Sequence, residues 1–116
     1  MYQISFELPV PPSENRYRRW LNGRPTISAD GRRYRRQVSE LCHGATPFTG
    51  RIAVRVELYP PDRRRRDLDN ILKALLDSLT HAGVWLDDAQ IDRLSVVRKQ
   101  CVPGGCVVVE VREEVQ

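Results

Sequence analysis

The amino-acid sequence predicts an α+β domain: a mixed β-sheet with two main helices, in the order β-loop-α-β-α-β-β. Three observations predict it. Residues 3–8 and 52–58 alternate apolar and polar side chains, the period of a half-buried strand. Residues 34–41 and 68–82 instead repeat their apolar side chains at helical spacing. The last third of the chain reads as two consecutive strands around a glycine turn, and such strands beside helices argue against a purely parallel sheet. With 116 residues, no repeat and no linker, residues 1–116 are expected to be one domain.

In order, the first strand puts Ile4, Phe6 and Leu8 on one face and stops at Pro9, Pro11 and Pro12, which have no N–H for a ladder. Ser13 to Pro25 reads as a long polar loop rich in arginine, with a short extended piece at Thr26 and Ile27. Ser28 or Asp30 caps a helix running to about Gly44, with Tyr34, Val38 and Leu41 toward the core and arginines on the other face. Ile52, Val54, Val56 and Leu58 mark the next strand, ended by Pro60 and Pro61. Leu68 to Ala82 is the clearest helix, with Leu68, Leu72, Leu75, Leu76 and Leu79 in one stripe and Gly83 placed as a left-handed cap. After the loop VWLDDAQ come strands at about 91–102 and 106–113, joined at Gly104-Gly105 in a hairpin that would set Cys101 opposite Cys106.

Composition narrows the function classes. Hydrophobic content of 41% and charged content of 29% suit a water-exposed globular domain. No apolar run approaches the ~20 residues of a membrane span, and the first ten residues lack the basic start and small-residue site of a secretion signal. A cytoplasmic location without membrane contact is expected. Cys42, Cys101 and Cys106 fit neither a disulfide framework nor zinc spacing, and His43 and His81 stand alone.

The net charge is +4, and nearly all the positive charge is arginine, with only Lys73 and Lys99 as lysines. The arginines concentrate at residues 16–36 and 63–66. A guanidinium contacts phosphate through a planar fork, so an anionic partner is favoured. A merely solvated basic face accounts for the composition equally well, but the 63–66 run, set between prolines and acids, favours phosphate.

The segment PPDRRRRDLDNILK concentrates the chemistry. Asp67 and Asp69 sit at a loop-to-helix junction behind four arginines. Two residues apart on a regular helix point about 200° away from each other, yet the first is still outside the helix and is able to swing toward the second. A few carboxylate oxygens with open water positions suit Mg²⁺ in a phosphate-handling site. Lys73 lies one turn beyond Asp69, and Arg66, Asn70, Lys73 and Asp77 make a polar stripe opposite the leucines. Spacing alone favours the plainer readings, with Asp67 as a helix cap, Asp69 with Lys73 as an i,i+4 ion pair, and Asp87-Asp88 as an acidic loop.

Taken together, LPVPPSENRYRR, RPTISADGRRYRR, PPDRRRRDLDNILKALLDSLTHAGVWLDDAQ and the later Gly-Gly turn resemble the RusA-like Holliday junction resolvases in order over most of the chain. The resemblance implies a homodimeric endonuclease that needs Mg²⁺ or Mn²⁺ and makes paired symmetric nicks in four-way DNA junctions during recombination and repair. It implies Asp67, Asp69 and Asp88 as metal-binding catalytic carboxylates and Lys73 as a catalytic lysine, with Asn70, Asp87 and Arg66 in support. Glu14 departs from the neutral amide usual at that place.

These expectations combine into a mechanism. The three aspartates hold one or two ions at the end of the second helix, the ion activates water, and Lys73 orients it or steadies the pentacovalent phosphorus. Arg16, Arg18, Arg19, Arg64 and Arg65 are expected on phosphates, and Tyr17 and Trp20 on unpaired bases. For Trp20, packing on the first helix is the equal alternative. Two other classes stay open: a non-catalytic basic DNA-binding module, which binds junctions without nicking them, and a metal nuclease for other branched or single-stranded nucleic acid.

Overall fold

The computed structural model describes residues 2–114. Its main sheet has four strands in the order β1-β6-β4-β5, where β1 is Gln3–Leu8, β4 is Ile52–Tyr59, β5 is Ile91–Arg98 and β6 is Cys106–Glu113. β6 runs antiparallel to β1 and β4, while β5 runs parallel to β4, so the sheet is mixed as expected. Val54, Val56 and Leu58 lie opposite Val111, Val109 and Val107, and this apolar face is covered by two helices, α2 (Ala29–Leu41) and α3 (Leu72–His81). The opposite face carries Arg55, Glu57 and Lys99, joined by ion pairs at 3.2 and 3.4 Å.

Ser28 caps α2 through a 3.0 Å bond from Gly31 N to its hydroxyl. The core stripe of α2 is Tyr34, Val38 and Cys42, successive i+4 positions; Leu41, expected inside, is 54% exposed. Burial keeps the Cys42 thiol protonated, raising its pKa to about 11. The helix expected at 68–82 begins as a 3₁₀ turn, Leu68–Ile71, before α3 proper. Ile71, Leu75 and Leu79 are buried there, and Leu72 and Leu76 only partly. Each full burial of such a side chain contributes about 1.5–3 kcal/mol.

Two expectations are corrected. Residues 13–25 are not a loop. They contain a single helical turn α1 (Glu14–Tyr17) and then a two-stranded ribbon, β2 (Arg18–Leu21) with β3 (Arg24–Ile27). Asn22 and Gly23 turn it with φ of 52° and 75°, the left-handed pair of a tight hairpin. Nor are β5 and β6 hairpin neighbours, because β4 lies between them. After β5 the chain crosses the end of β4, with Lys99 N bonding Leu58 O at 2.8 Å and Val102 N bonding Pro60 O at 2.9 Å, and returns on the far side as β6. Cys42, Cys101 and Cys106 are all free thiols.

Candidate active site

The proline pair at the end of β4 sends the chain out into the arginine loop, and the 3₁₀ turn brings it back. Asp67 N-caps that turn only through its backbone: its carbonyl accepts from Asn70 N at 3.2 Å, while its carboxylate makes no cap bond. Asp69 opens the same turn. Among the described residues the side chains of Asp67, Asp69, Asn70 and Lys73 have no hydrogen-bond or ion-pair partner, and all four are exposed. Neither the cap nor the i,i+4 ion pair accounts for these acids.

The loop ahead of them is tied down from within. Arg66 donates to Asp62 at 2.8 Å, and Arg64 N bonds the same carboxylate at 2.9 Å. The Arg66 hydrogen bond, then that of Arg64 N, holds the Asp62 carboxyl below the usual carboxylate range. Arg98, at the end of β5, donates to the carbonyl of Arg66, the residue before Asp67. The result is an open cleft of about 440 Å³ whose cationic walls are Arg63, Arg64, Arg66, Arg98 and Lys99. Arg98 and Lys99 escaped the sequence reading. They lie over thirty positions downstream, and only the parallel pairing of β5 with β4 brings them here.

Asp88 sits at the other end of α3. Its Oδ1 accepts from Trp85 Nε1 at 3.0 Å and contacts the Thr80 hydroxyl. Trp85 itself is fully buried. Gln90 fixes the turn, taking Leu86 N and Asp87 N on Oε1 at 2.7 and 2.9 Å and donating from Nε2 to the carbonyls of Phe48 and Gly50. Asp87 caps the turn by accepting from Ala89 N at 2.8 Å. Asp87 is thus a structural partner of Asp88, and Trp85, Thr80 and Gln90 are the positioning residues that sequence reasoning missed.

The three aspartates do not meet within one chain. Thr80 lies eleven residues after Asp69, which at 1.5 Å rise per residue is roughly 16 Å along the helix. Two oxygens sharing one Mg²⁺ at about 2.0–2.1 Å each lie within about 4 Å of each other. Correspondingly, no group of three acidic, His or Cys side chains among the described residues is arranged to hold a metal ion. Asp67 and Asp69 alone still fit one, as two exposed hard-oxygen donors at one turn.

The expected DNA-contact residues divide likewise. Arg16, Arg19, Arg64, Arg65 and Trp20 are exposed. Tyr17 is not: its ring is completely buried and its hydroxyl accepts from Arg35 at 2.8 Å, so no face is left to stack on a base. Arg18 is held inside, on Glu14 at 3.0 Å and Asp77 at 2.9 Å. Glu14, the unusual acid, is the internal partner of Arg18. Trp20 is 74% exposed, which removes the alternative that it packs on a helix.

Fold and site together define an α+β domain that presents an aspartate pair beside an arginine-walled cleft. The chain belongs to the RusA endodeoxyribonuclease family: the family model for "Endodeoxyribonuclease RusA" matches residues 8–112. It is 45% identical to a crossover junction endodeoxyribonuclease RusA of Shigella sonnei and 44% identical to that of Escherichia coli K12, over 97% of each chain. A relative of the same name from Enterobacteria phage 82 is 46% identical over 91% of each. No helix is long and apolar enough to cross a membrane among the described residues.

Proposed function

We propose that the protein is a junction-resolving endodeoxyribonuclease that hydrolyses phosphodiesters in four-way DNA with Mg²⁺ or Mn²⁺. Water adds at phosphorus and the bond to the 3′ oxygen breaks, leaving 5′-phosphate and 3′-hydroxyl ends. The observation that carries this is the exposed set Asp67, Asp69, Asn70 and Lys73, without side-chain partners among the described residues, beside a cationic cleft in a chain so similar to proteins named for that activity. A divalent ion bound there supplies a Lewis acid and a water of lowered pKa. Asp67 and Asp69 donate the carboxylate oxygens. Lys73 meets charge developing on the phosphate, and Arg64 and Arg65 hold the backbone on either side.

Asp88 belongs to the site through a second copy of the chain. It is too far along α3 to serve its own Asp67 and Asp69, it is rigidly presented, and Leu86 beside it is a 64% exposed apolar side chain suited to a protein contact. A two-fold dimer would join the front of one α3 to the back of the other twice, and a four-way junction offers matching symmetry.

Incubating the protein with a labelled four-way junction and with a linear duplex, with and without magnesium, tests the activity. Paired nicks confined to the junction are expected, and binding with no nicks under any divalent ion refutes it. Mixing Asp69→Asn with Asp88→Asn tests the sharing. Each variant alone is inactive, whereas a mixed dimer keeps one intact site and nicks one strand. No recovery on mixing refutes a shared site.

A further inference from the structure

The β2–β3 ribbon is a separate two-stranded sheet, not an extension of the main one. Its base is firmly held. Ser28 N bonds Tyr17 O at 2.9 Å, and Arg18 reaches Asp77 on α3. Gly31 packs so closely that a Cβ there would lie 2.5 Å from Tyr17 O. Asp77 is one turn beyond Lys73, on the same stripe of α3, so the ribbon rises beside the proposed chemistry.

What the ribbon carries outward is apolar and cationic. Trp20 is 74% exposed and Leu21 49%, while the only other tryptophan, Trp85, is fully buried. Arg16, Arg19 and Arg24 around them are exposed. Beside the indole is a cleft of about 330 Å³ lined by Glu14, Asn15, Arg18, Arg19, Trp20 and Pro25. A large flat ring left in water contributes nothing to folding, and its arginine surroundings suit a polyanion rather than a protein or lipid chain. Unpaired bases of a nucleic acid offer both partners, π-faces for the ring and phosphates for the arginines.

We propose that the ribbon reads the branch point: Trp20 stacks on a base left unpaired where the strands exchange, and Arg19 and Arg24 hold the neighbouring phosphates. The DNA partner rests on the nuclease reading above; the discrimination between branched and linear DNA is what this proposal adds. Stacking acts only where a base is free, so Trp20 contributes to junction binding and not to duplex binding.

Binding is measured without divalent metal, by anisotropy of labelled junction and duplex, for the wild type, Trp20→Ala and Trp20→Phe. The alanine variant should bind the junction roughly ten-fold or more weakly, with duplex affinity within about two-fold, and the phenylalanine variant should keep most of the junction affinity. Indole emission should be quenched when the wild type binds the junction, and this quenching should vanish in Trp20→Phe. An equal loss on both DNAs, no loss on either, or a changed oligomer size in Trp20→Ala overturns the proposal. Nicking of the junction by the wild type in magnesium judges the nuclease reading separately.

Discussion

The two ends of α3 treat their acidic residues in opposite ways. At the front, Asp67 and Asp69 are exposed and engaged by no other side chain among the described residues, although four arginines precede them. At the back, Asp88 is held by an indole N–H and a hydroxyl, on a turn that Gln90 bonds twice and anchors by two more bonds to the carbonyls of Phe48 and Gly50. Folding gives these two carboxylates at the front no side-chain partner among the described residues, which is what the proposed ligand site requires. On the proposed reading, the internally held acid at the back serves the site of a second copy of the chain. Acids left open to solvent and an acid held by the fold thus stand at opposite ends of one helix.

That separation is broken most severely at the front. Asp69→Asn should reduce junction nicking by ~10³-fold or more, the scale of losing charge stabilisation worth several kcal/mol. Because the carboxylate has no partner among the described residues, the melting temperature should stay within about 2–3 °C. Gel assays and thermal melts on the same preparation check both. A variant that melts much earlier would make Asp69 a structural residue, and the contrast would fail.

At the back the signs reverse. Gln90→Ala leaves two backbone N–H groups and two carbonyls without their partner, in a residue that is itself buried. A loss of about 2–4 kcal/mol follows, or about 10 °C or more in melting temperature. Urea unfolding is the direct measurement. Junction nicking should fall as well, since Asp88 is then no longer aimed.

Why one half of this contrast was legible in the sequence and the other was not has a physical cause. Asp67, Asp69 and Lys73 are local: a loop-to-helix junction and one helical turn place them, and both show in the pattern of residues 62–79. Helices α2 and α3 and strands β1 and β4 were legible for the same reason, since each buries a regular stripe. The order β1-β6-β4-β5 was not, because a Gly-Gly turn signals a reversal without saying which strands will pair. β4 displaced the expected hairpin partner. The β2–β3 ribbon did have a local signal, Asn22-Gly23, but both strands are largely exposed and Pro25 interrupts one of them, so no alternation marks them. Asp88 was legible as an acid near a helix end, yet its distance from Asp69 follows only from the length of α3.

The arginines repeat the contrast at smaller amplitude. Arg64 is exposed at the cleft, while Arg18 is spent on Glu14 and Asp77. Replacing Arg64 by Ala should weaken DNA binding and reduce the slope of log affinity against log salt by about 0.9, one phosphate contact. Replacing Arg18 should leave that slope unchanged and lower stability instead, by freeing the ribbon base. Titrations at several salt concentrations separate the two. An equal drop in slope for both would mean that Arg18 leaves its internal partners when DNA binds.

The smallest effect lies in Asp62, the tether of the arginine loop. Its carboxyl is held below the ordinary range by the Arg66 guanidinium first and by Arg64 N second. A depressed carboxyl favours the folded loop above the unfolded-state pKa of about 3.9, and that contribution drains away as pH falls through the lower folded-state value. At neutral pH the loop is therefore fully tethered, and no pH change near 7 alters it. Following the Asp62 carboxyl by NMR should give a midpoint below that of a free aspartate, and Arg66→Ala should move it upward. The pair is exposed to water, so the accompanying change in global stability should be slight. An Asp62 midpoint that ignores Arg66 would mean that this ion pair does not tether the loop, whose bracing would then rest on backbone contacts such as that of Arg98 with the carbonyl of Arg66.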